Sequence, residues 1–288
     1  MTKVFRLMCL TVVLSLLFLM PMNSPALAAQ GKLFIVDSAS QEIHELDPST
    51  GNVLNTFTTP SVTDRSEGLA YGNGRMFFTS GTGGTPQTIY EIDPLDGSLI
   101  NSFTGPAFAG DIAALGFSCY RLFALDNSTD EIYVLNPDTG ALITTLNDPV
   151  VLDLHGGGSF AGTRNTVFFT DTNTIYELDT QDGTMLNSFS SPGGATIFGL
   201  GFSFHRNTLF IGNVSHIWEV NPNNGGVINS FQGPPGADMG ALAADECRVP
   251  VGGEVYPVNE YVILAPWLAL TAAIIVGGTL FIRRRISA

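Results

Sequence analysis

IYEIDPLDGSLINSF, residues 89–103, is one of five copies of a single pattern in this chain. The others are IHELDPSTGNVLNTF from Ile43, IYVLNPDTGALITTL from Ile132, IYELDTQDGTMLNSF from Ile175 and IWEVNPNNGGVINSF from Ile217. In every copy apolar and polar residues alternate, and an Asp or Asn stands four residues before a Gly. Alternation is typical of strands, and these turn residues are typical of tight turns. Each copy is therefore predicted to be a β-hairpin.

A further apolar strand precedes each hairpin, at intervals of 42 to 46 residues: LFIVD from Leu33, MFFTS from Met76, LFALD from Leu122, VFFTD from Val167 and LFIGN from Leu209. Segments of small residues come before these strands or after the last hairpin: GLAYG from Gly68, AALGF from Ala113, GSFAG from Gly158, FGLGF from Phe198 and GALAAD from Gly240. A repeat of this length that contains only strand signals predicts the blades of a propeller. Gly and Ala suit an innermost strand, where the blades converge.

The predicted fold is all-β, a five-bladed β-propeller over residues 30–248. The domain begins at a second strand, Leu33, and ends at an inner strand, residues 240–245. An open sheet edge is an association hazard. The C-terminal inner strand is therefore expected to pair with the N-terminal blade and close the ring.

The turns of these repeats, such as DPSTG from Asp47 and NPDTG from Asn136, resemble those of YVTN-type, NHL-type and quinoprotein-like propellers. The resemblance extends over the whole domain and implies the propeller fold rather than a particular function. The propellers of this kind that hold a quinone have more blades, and Trp218 is the only tryptophan in the domain. No cofactor is assigned on this basis.

The first 28 residues have the pattern of a secretory signal peptide. Lys3 and Arg6 precede an apolar run over residues 7–20, and Ala26-Leu27-Ala28 provides a small-residue cleavage site. Export of the chain is therefore expected.

Residues 261–282 contain no charge and are long enough to span a bilayer as a transmembrane helix. Arg283, Arg284 and Arg285 follow, so residues 283–288 are expected to be a cytoplasmic basic tail. Residues 249–260 form the linker. These features predict a cell-surface, single-pass membrane protein with its N-terminal domain outside.

The segment from Val251 onwards also resembles prokaryotic C-terminal sorting tails, which consist of a short motif, a hydrophobic helix and a basic stop. That resemblance implies proteolytic release near the motif. Tyr256-Pro257-Val258 stands where the best-known tails have Pro-Glu-Pro. Cleavage of the tail and a permanent anchor are both left open.

The chain is acidic, with 26 Asp and Glu residues against 12 Lys and Arg residues. Five of the basic residues lie in the two terminal segments, so the domain itself is more acidic still. Such a surface repels phosphate backbones, and nucleic acid is excluded as a partner.

Two cysteines, Cys119 and Cys247, remain after export. Because they lie in different repeats, two independent thiols are favoured over a disulfide.

Acidic residues recur in four of the five loops that lead into inner strands, and Thr196 takes this place in the remaining loop. These acids are Asp64, Asp111, Asp153 and Asp238. They are expected to ring one end of the central channel, where a Ca²⁺ ion would offset their mutual repulsion. The alternative, that each Asp caps its own loop through backbone amides, is favoured over the calcium ring because repeats copy the features that fold the chain.

No catalytic motif is found in the sequence, and no catalytic residue is assigned. Glu45, Glu91, Glu177 and Glu219 recur in the third strands, with Val134 in the remaining copy. Their repetition favours a structural duty, such as pairing with the hydroxyls of a neighbouring blade.

The expected function is a recognition or scaffold module for a glycan or protein ligand. The alternatives are a hydrolase or lyase acting at the axial pocket, and a structural component of the envelope.

Overall fold

The computed structural model describes residues 31–63, 67–80, 87–106, 110–146, 157–161 and 164–248. In these ranges the chain forms twenty strands, arranged as five four-stranded antiparallel sheets. A short 3₁₀ turn over Pro192–Gly194 lies outside the sheets. The predicted all-β five-bladed propeller is confirmed.

Each sheet is one blade, and its strands are named in order from the innermost to the outermost. Blade 1 consists of β20 (Met239–Ala244), β1 (Leu33–Asp37), β2 (Glu42–Leu46) and β3 (Val53–Thr58). Blade 2 consists of β4 (Gly68–Gly72), β5 (Arg75–Thr79), β6 (Thr88–Ile92) and β7 (Leu99–Thr104). Blade 3 consists of β8 (Ile112–Phe117), β9 (Leu122–Asp126), β10 (Glu131–Leu135) and β11 (Leu142–Leu146). Blade 4 consists of β12 (Gly158–Ala161), β13 (Thr166–Asp171), β14 (Thr174–Asp179) and β15 (Met185–Ser190). Blade 5 consists of β16 (Gly199–Ser203), β17 (Thr208–Gly212), β18 (His216–Val220) and β19 (Val227–Gln232).

Ring closure takes place as the sequence predicts. Strand β20, the last of the described strands, pairs antiparallel with β1, and Leu33 lies opposite Ala244. The inner strands contact one another in the cyclic order β20, β4, β8, β12, β16 and back to β20. The two ends of the domain therefore share one sheet, and its inner edge faces the channel.

The hairpin turns also have the predicted chemistry. In blade 2 the Asp93 carboxylate accepts the backbone N–H of Leu95 at 2.8 Å, and Gly97 has a φ of +74°. A Cβ atom at Gly97 would overlap the ring of Phe57 at the end of the preceding outer strand. The turn thus needs glycine both for its left-handed backbone and for packing against the neighbouring blade.

Small residues on the inner strands are required by the convergence of the blades. A Cβ atom at Gly199 would come 2.5 Å from the Cβ of Leu242 on β20. The large apolar side chains instead pack between the sheets, and Phe34, Phe77, Phe123, Phe168 and Phe210 are buried on the second strands.

The expectation of two independent thiols is wrong. Cys119 and Cys247 form a disulfide with an S–S distance of 2.09 Å and a Cα–Cα distance of 5.8 Å. Cys119 lies in the turn between β8 and β9, and Cys247 lies three residues beyond the end of β20. Both positions are at the same end of the channel, so their separation of 128 residues along the sequence does not keep them apart.

The predicted signal peptide, linker, transmembrane helix and basic tail lie outside the described residues. Within the described ranges, no helix is long and apolar enough to cross a membrane.

Candidate functional site

The chain segment that follows β20 crosses one end of the central channel. We call this segment, residues 245–247, the plug. The N–H of Glu246 donates to the carbonyl oxygen of Tyr71 in blade 2, and the carbonyl oxygen of Asp245 accepts the N–H of Phe204 in blade 5, both at 3.0 Å. We call this end of the propeller, which also carries the turns between inner and second strands, the plug face.

The Glu246 side chain connects the plug to blades 3 and 4. It is completely buried, and its carboxylate accepts the N–H of Phe117 at 2.6 Å, the N–H of Phe160 at 3.2 Å and the hydroxyl of Ser159 at 3.0 Å. Burial raises the pKa of Glu246 well above its usual value, although these three donors oppose the shift. The plug therefore fills the axis at the plug face.

Beside the plug, a pocket of about 640 Å³ opens towards blades 3 and 4. Its lining includes Tyr120 and Arg121 from the β8–β9 turn, together with Asn165, Gln181 and Arg248. No Asp or Glu lines it among the described residues, although the whole chain has a net charge of −14. We call it the Arg121 pocket.

A repeated ion pair explains why Arg121 is unusual. In the other four blades, a basic residue near the start of the second strand pairs with a Glu of the third strand. The pairs are Lys32–Glu45 at 2.8 Å, Arg75–Glu91 at 2.6 Å, Arg164–Glu177 at 2.8 Å and Arg206–Glu219 at 2.7 Å. These Glu residues do have a structural duty, but it is an ion pair within their own blade and not the expected contact with hydroxyls of a neighbouring blade. Hydroxyls of the same blade, such as Thr208, add to it at 2.7 Å.

Blade 3 lacks this acidic partner. Arg121 stands in the same register as Arg75, at the start of the second strand, but Val134 occupies the position of Glu91. Within the described part of the chain, the Arg121 guanidinium makes no ion pair and no hydrogen bond. A positive charge without an internal partner is therefore exposed at the pocket.

The outer strand of blade 3 departs from the repeat as well. In the other four blades an Asn of the outer strand donates to a carbonyl of the next blade's turn, as Asn55 does to Leu95 at 2.8 Å. Blade 3 has Thr144 at this position, and its outer strand ends in Leu146 where the others have Phe. Several replacements thus coincide at the junction where the Arg121 pocket opens.

Aromatic side chains provide the apolar part of the pocket. Tyr120 is 70% exposed, whereas Phe123 and Phe160 are buried and stack on each other at 5.7 Å with an interplanar angle of 8°. The Cys119–Cys247 disulfide connects the β8–β9 turn to the plug, so it fixes the backbone on which Tyr120 and Arg121 stand.

The predicted Ca²⁺ ring is only partly covered by the described residues. Asp64 and Asp153 lie outside them. Asp111 and Asp238 lie in loops that lead into inner strands, and the Asp111 carboxylate accepts the side-chain N–H of Asn127 at 3.3 Å. Within the described ranges, no group of three or more His, Cys, Asp or Glu residues is placed to hold a metal. The calcium site stays a prediction.

The carboxylates that hold these loops in place by accepting their backbone N–H groups were not identified from the sequence. Asp126 at the end of β9 accepts the N–H of Gly110 and of Asp111, at 3.1 and 3.2 Å. In blade 1, Asp37 accepts the N–H of Asp238 at 2.8 Å. Both acids end the second-strand motif (LFIVD, LFALD), and that recurrence was the available signal.

One His–Thr contact bears on the hydrolase alternative. His44 Nδ1 lies 2.9 Å from Thr56 Oγ1, but its Nε2 lies 3.8 Å from Asp37, which is too long for a hydrogen bond. The Asp37 carboxylate already accepts the N–H of Ala39 and the hydroxyl of Ser40. This arrangement does not support nucleophilic catalysis.

No family model matches the chain, and no curated protein matches it. Solved structures are similar in fold. The crystal structure of a nidogen–laminin complex matches 74% of this chain and 98% of its own, with a TM-score of 0.52 and 14% identity. Glutaminyl cyclase from Myxococcus xanthus matches 58% of this chain and 69% of its own, with a TM-score of 0.47 and 13% identity. A protein of unknown function from Bacteroides caccae matches 75% and 99%, with a TM-score of 0.47 and 11% identity. At these identities the similarity concerns the propeller fold alone.

Proposed function

We propose that this protein is an exported recognition module, tethered to the cell-surface membrane by residues 261–282, and that it binds its ligand in the Arg121 pocket. The observation that carries the proposal is the loss of the repeated ion pair in blade 3. Four blades neutralise their basic residue internally, whereas blade 3 leaves Arg121 unpaired in the described structure and places it at a cavity.

A binding role suits the rigidity of this site. The pocket stands on turns that are held by the sheets, the plug and a disulfide, and a rigid frame reduces the ordering cost of binding. The disulfide also supports export, because such bonds persist in oxidising compartments and are rare in the cytosol. A lone unpaired guanidinium gives no support for turnover.

The test of recognition uses Val134→Glu. By the register of β9 and β10, the new carboxylate would lie opposite Phe123, as Glu91 lies opposite Phe77 in blade 2. It should therefore pair with Arg121 and restore the repeat. Full-length protein in detergent micelles is applied to arrays of glycans and peptides. Ligands of the wild type are expected to bind the variant at least about tenfold more weakly, the usual effect of losing a charge-assisted contact.

If the wild type and the variant bind every ligand equally, the Arg121 pocket is not the binding site. An array on which the wild type binds nothing would favour a structural envelope component. Melting temperatures of both proteins, measured in parallel, show whether the variant is folded.

Export and tethering have a separate test. Protease added to intact cells is expected to remove the propeller and leave residues 283–288 protected. The opposite pattern would reverse the proposed orientation. Mature protein that lacks everything beyond about Pro257 would replace the permanent anchor with a cleaved tail.

Stabilisation by calcium is a further part of the proposal and does not depend on the pocket. Millimolar Ca²⁺ is expected to raise the melting temperature of the wild type, because a ligand of the folded state stabilises that state. An equal rise in an Asp111→Ala, Asp238→Ala double variant would reject the ring as the metal site.

A further inference from the structure

The charge at the Arg121 pocket is opposite to that of the rest of the molecule. Arg121 and Arg248 line the pocket and no acidic residue of the described ranges does, whereas the chain as a whole is strongly acidic. Arg121 presents a planar fork of N–H donors, a geometry that matches a carboxylate bidentately. An anionic group is therefore favoured in direct contact with Arg121, although the acidic surface around the pocket repels every anion at longer range.

The other lining residues indicate what carries the anion. Asn165 and Gln181 are exposed at the pocket, and in the described structure their side-chain amides have no protein partner. Exposed Tyr120 adds a flat apolar ring with a hydroxyl at its tip. Amides that bind hydroxyls, beside an aromatic ring that packs on an apolar face, suit a sugar ring.

We propose that the Arg121 pocket binds an acidic sugar of the uronate type within an oligosaccharide. The carboxylate pairs with Arg121, the sugar ring packs on Tyr120, and the hydroxyls bond to Asn165 and Gln181. This inference rests on the proposed function, because it names the ligand class of the same pocket.

The probe is trigalacturonate, and its fully methyl-esterified form is the matched neutral control. Binding to full-length protein in detergent micelles is measured by calorimetry. The acid form is expected to bind at least about tenfold more tightly than the ester. Arg121→Gln should weaken the acid form by a similar factor and leave the ester unchanged. Tyr120→Ala should weaken both forms, because both retain the sugar rings.

Arg75→Gln is the control for the variants, because Arg75 holds the same place in the repeat but is paired in blade 2. It should leave binding unchanged even if it lowers stability. Since the Arg121 side chain has no partner in the described structure, Arg121→Gln should melt at the wild-type temperature, which separates lost binding from lost folding.

Equal binding of the acid and ester forms, or no binding of the acid form at millimolar concentration, would overturn the inference. Inorganic phosphate or a glutamate-rich peptide that binds more tightly than the acid trimer would overturn it as well. If the arrays meanwhile reveal a neutral ligand that Val134→Glu loses, the recognition function stands and only the uronate assignment fails.

Discussion

Arg75 and Arg121 hold the same place in neighbouring repeats and have different surroundings. The Arg75 guanidinium pairs with Glu91, donates to the carbonyl of Pro137 at 3.2 Å and contacts Asp138 of the next blade. Arg121 makes none of the equivalent contacts in the described structure. Val134 stands in place of the third-strand Glu and Gln181 in place of Asp138, so Arg121 lacks both of the acidic partners that Arg75 has.

Glu219 shows how much the paired arrangement should contribute to stability. The residue is 1% exposed, and its carboxylate accepts the Nε–H of Arg206 at 2.7 Å and the hydroxyl of Thr208 at 2.7 Å. Glu219→Ala is expected to lower the free energy of unfolding by about 2 to 4 kcal/mol, because it leaves these donors without their acceptor. Urea unfolding measures the loss. Glu219→Gln, which keeps one acceptor oxygen, should lose less, and an alanine variant as stable as the wild type would contradict the expectation.

At the scale of the element, the hairpins and inner strands could be predicted because their signals are local. Asp93 and Gly97 determine a turn within five residues, and the small residues of the inner strands reflect how closely the blades approach. The ring closure followed from counting strands. These parts of the fold needed no knowledge of distant contacts.

The plug could not be predicted in the same way. Asp245, Glu246 and Cys247 follow the last repeat, so no other copy shows what they do. Their partners lie in blades 2 to 5 and become neighbours only when the ring has closed. The sequence shows Val134 where the other blades have a Glu. That this leaves Arg121 without a partner follows only from the described structure, in which the other Glu residues pair with basic residues of their own blades.

The buried plug carboxylates predict an unusual dependence of stability on pH. Burial raises the pKa of Asp245 and, more strongly, that of Glu246, so the folded state holds these protons more tightly than the unfolded state does. Their contribution to the free energy of unfolding is complete below the pKa values of the unfolded state, near 4. It is lost as the pH rises through the pKa values of the folded state. Exposed acids with lowered pKa values, such as Asp96, act in the opposite direction and at lower pH.

Glu246→Gln should therefore flatten the decline of stability above about pH 4.5, because its amide does not ionise. Urea unfolding of wild type and variant between pH 4 and 8 gives the two slopes. Identical slopes would show that Glu246 does not hold its proton in the folded protein.

At the scale of the whole molecule, the disulfide closes a loop that contains more than half of the ring, from β9 to β20. Cys119 and Cys247 are 128 residues apart, and closing so long a loop restricts the unfolded chain. A Cys119→Ser, Cys247→Ser variant is expected to lose about 3 to 5 kcal/mol of unfolding free energy. Reduction of the wild type should produce the same loss. Both cysteines reacting as free thiols in the unreduced, denatured protein would contradict the bond.

Among the described residues the ring is nearly regular, and the junction between blades 3 and 4, which departs from the repeat, carries the proposed function. Regular repeats copy the devices that fold the chain, such as the turn glycines and the ion pairs. A position that departs from the repeat while the fold persists is not required for folding, so its side chain can be used to bind a ligand.

The availability of Arg121 can be tested by measuring the reactivity of individual arginines in the full-length protein, with no ligand present. Phenylglyoxal modifies accessible guanidinium groups, and mass spectrometry of the peptides gives the modified fraction at each site. Arg121 is expected to react faster than the paired residues Arg75, Arg164 and Arg206, and Val134→Glu should slow Arg121 to their rate. If Arg121 reacts as slowly as the other three in the wild type, it has a partner, and the claim that blade 3 leaves it available for a ligand is wrong.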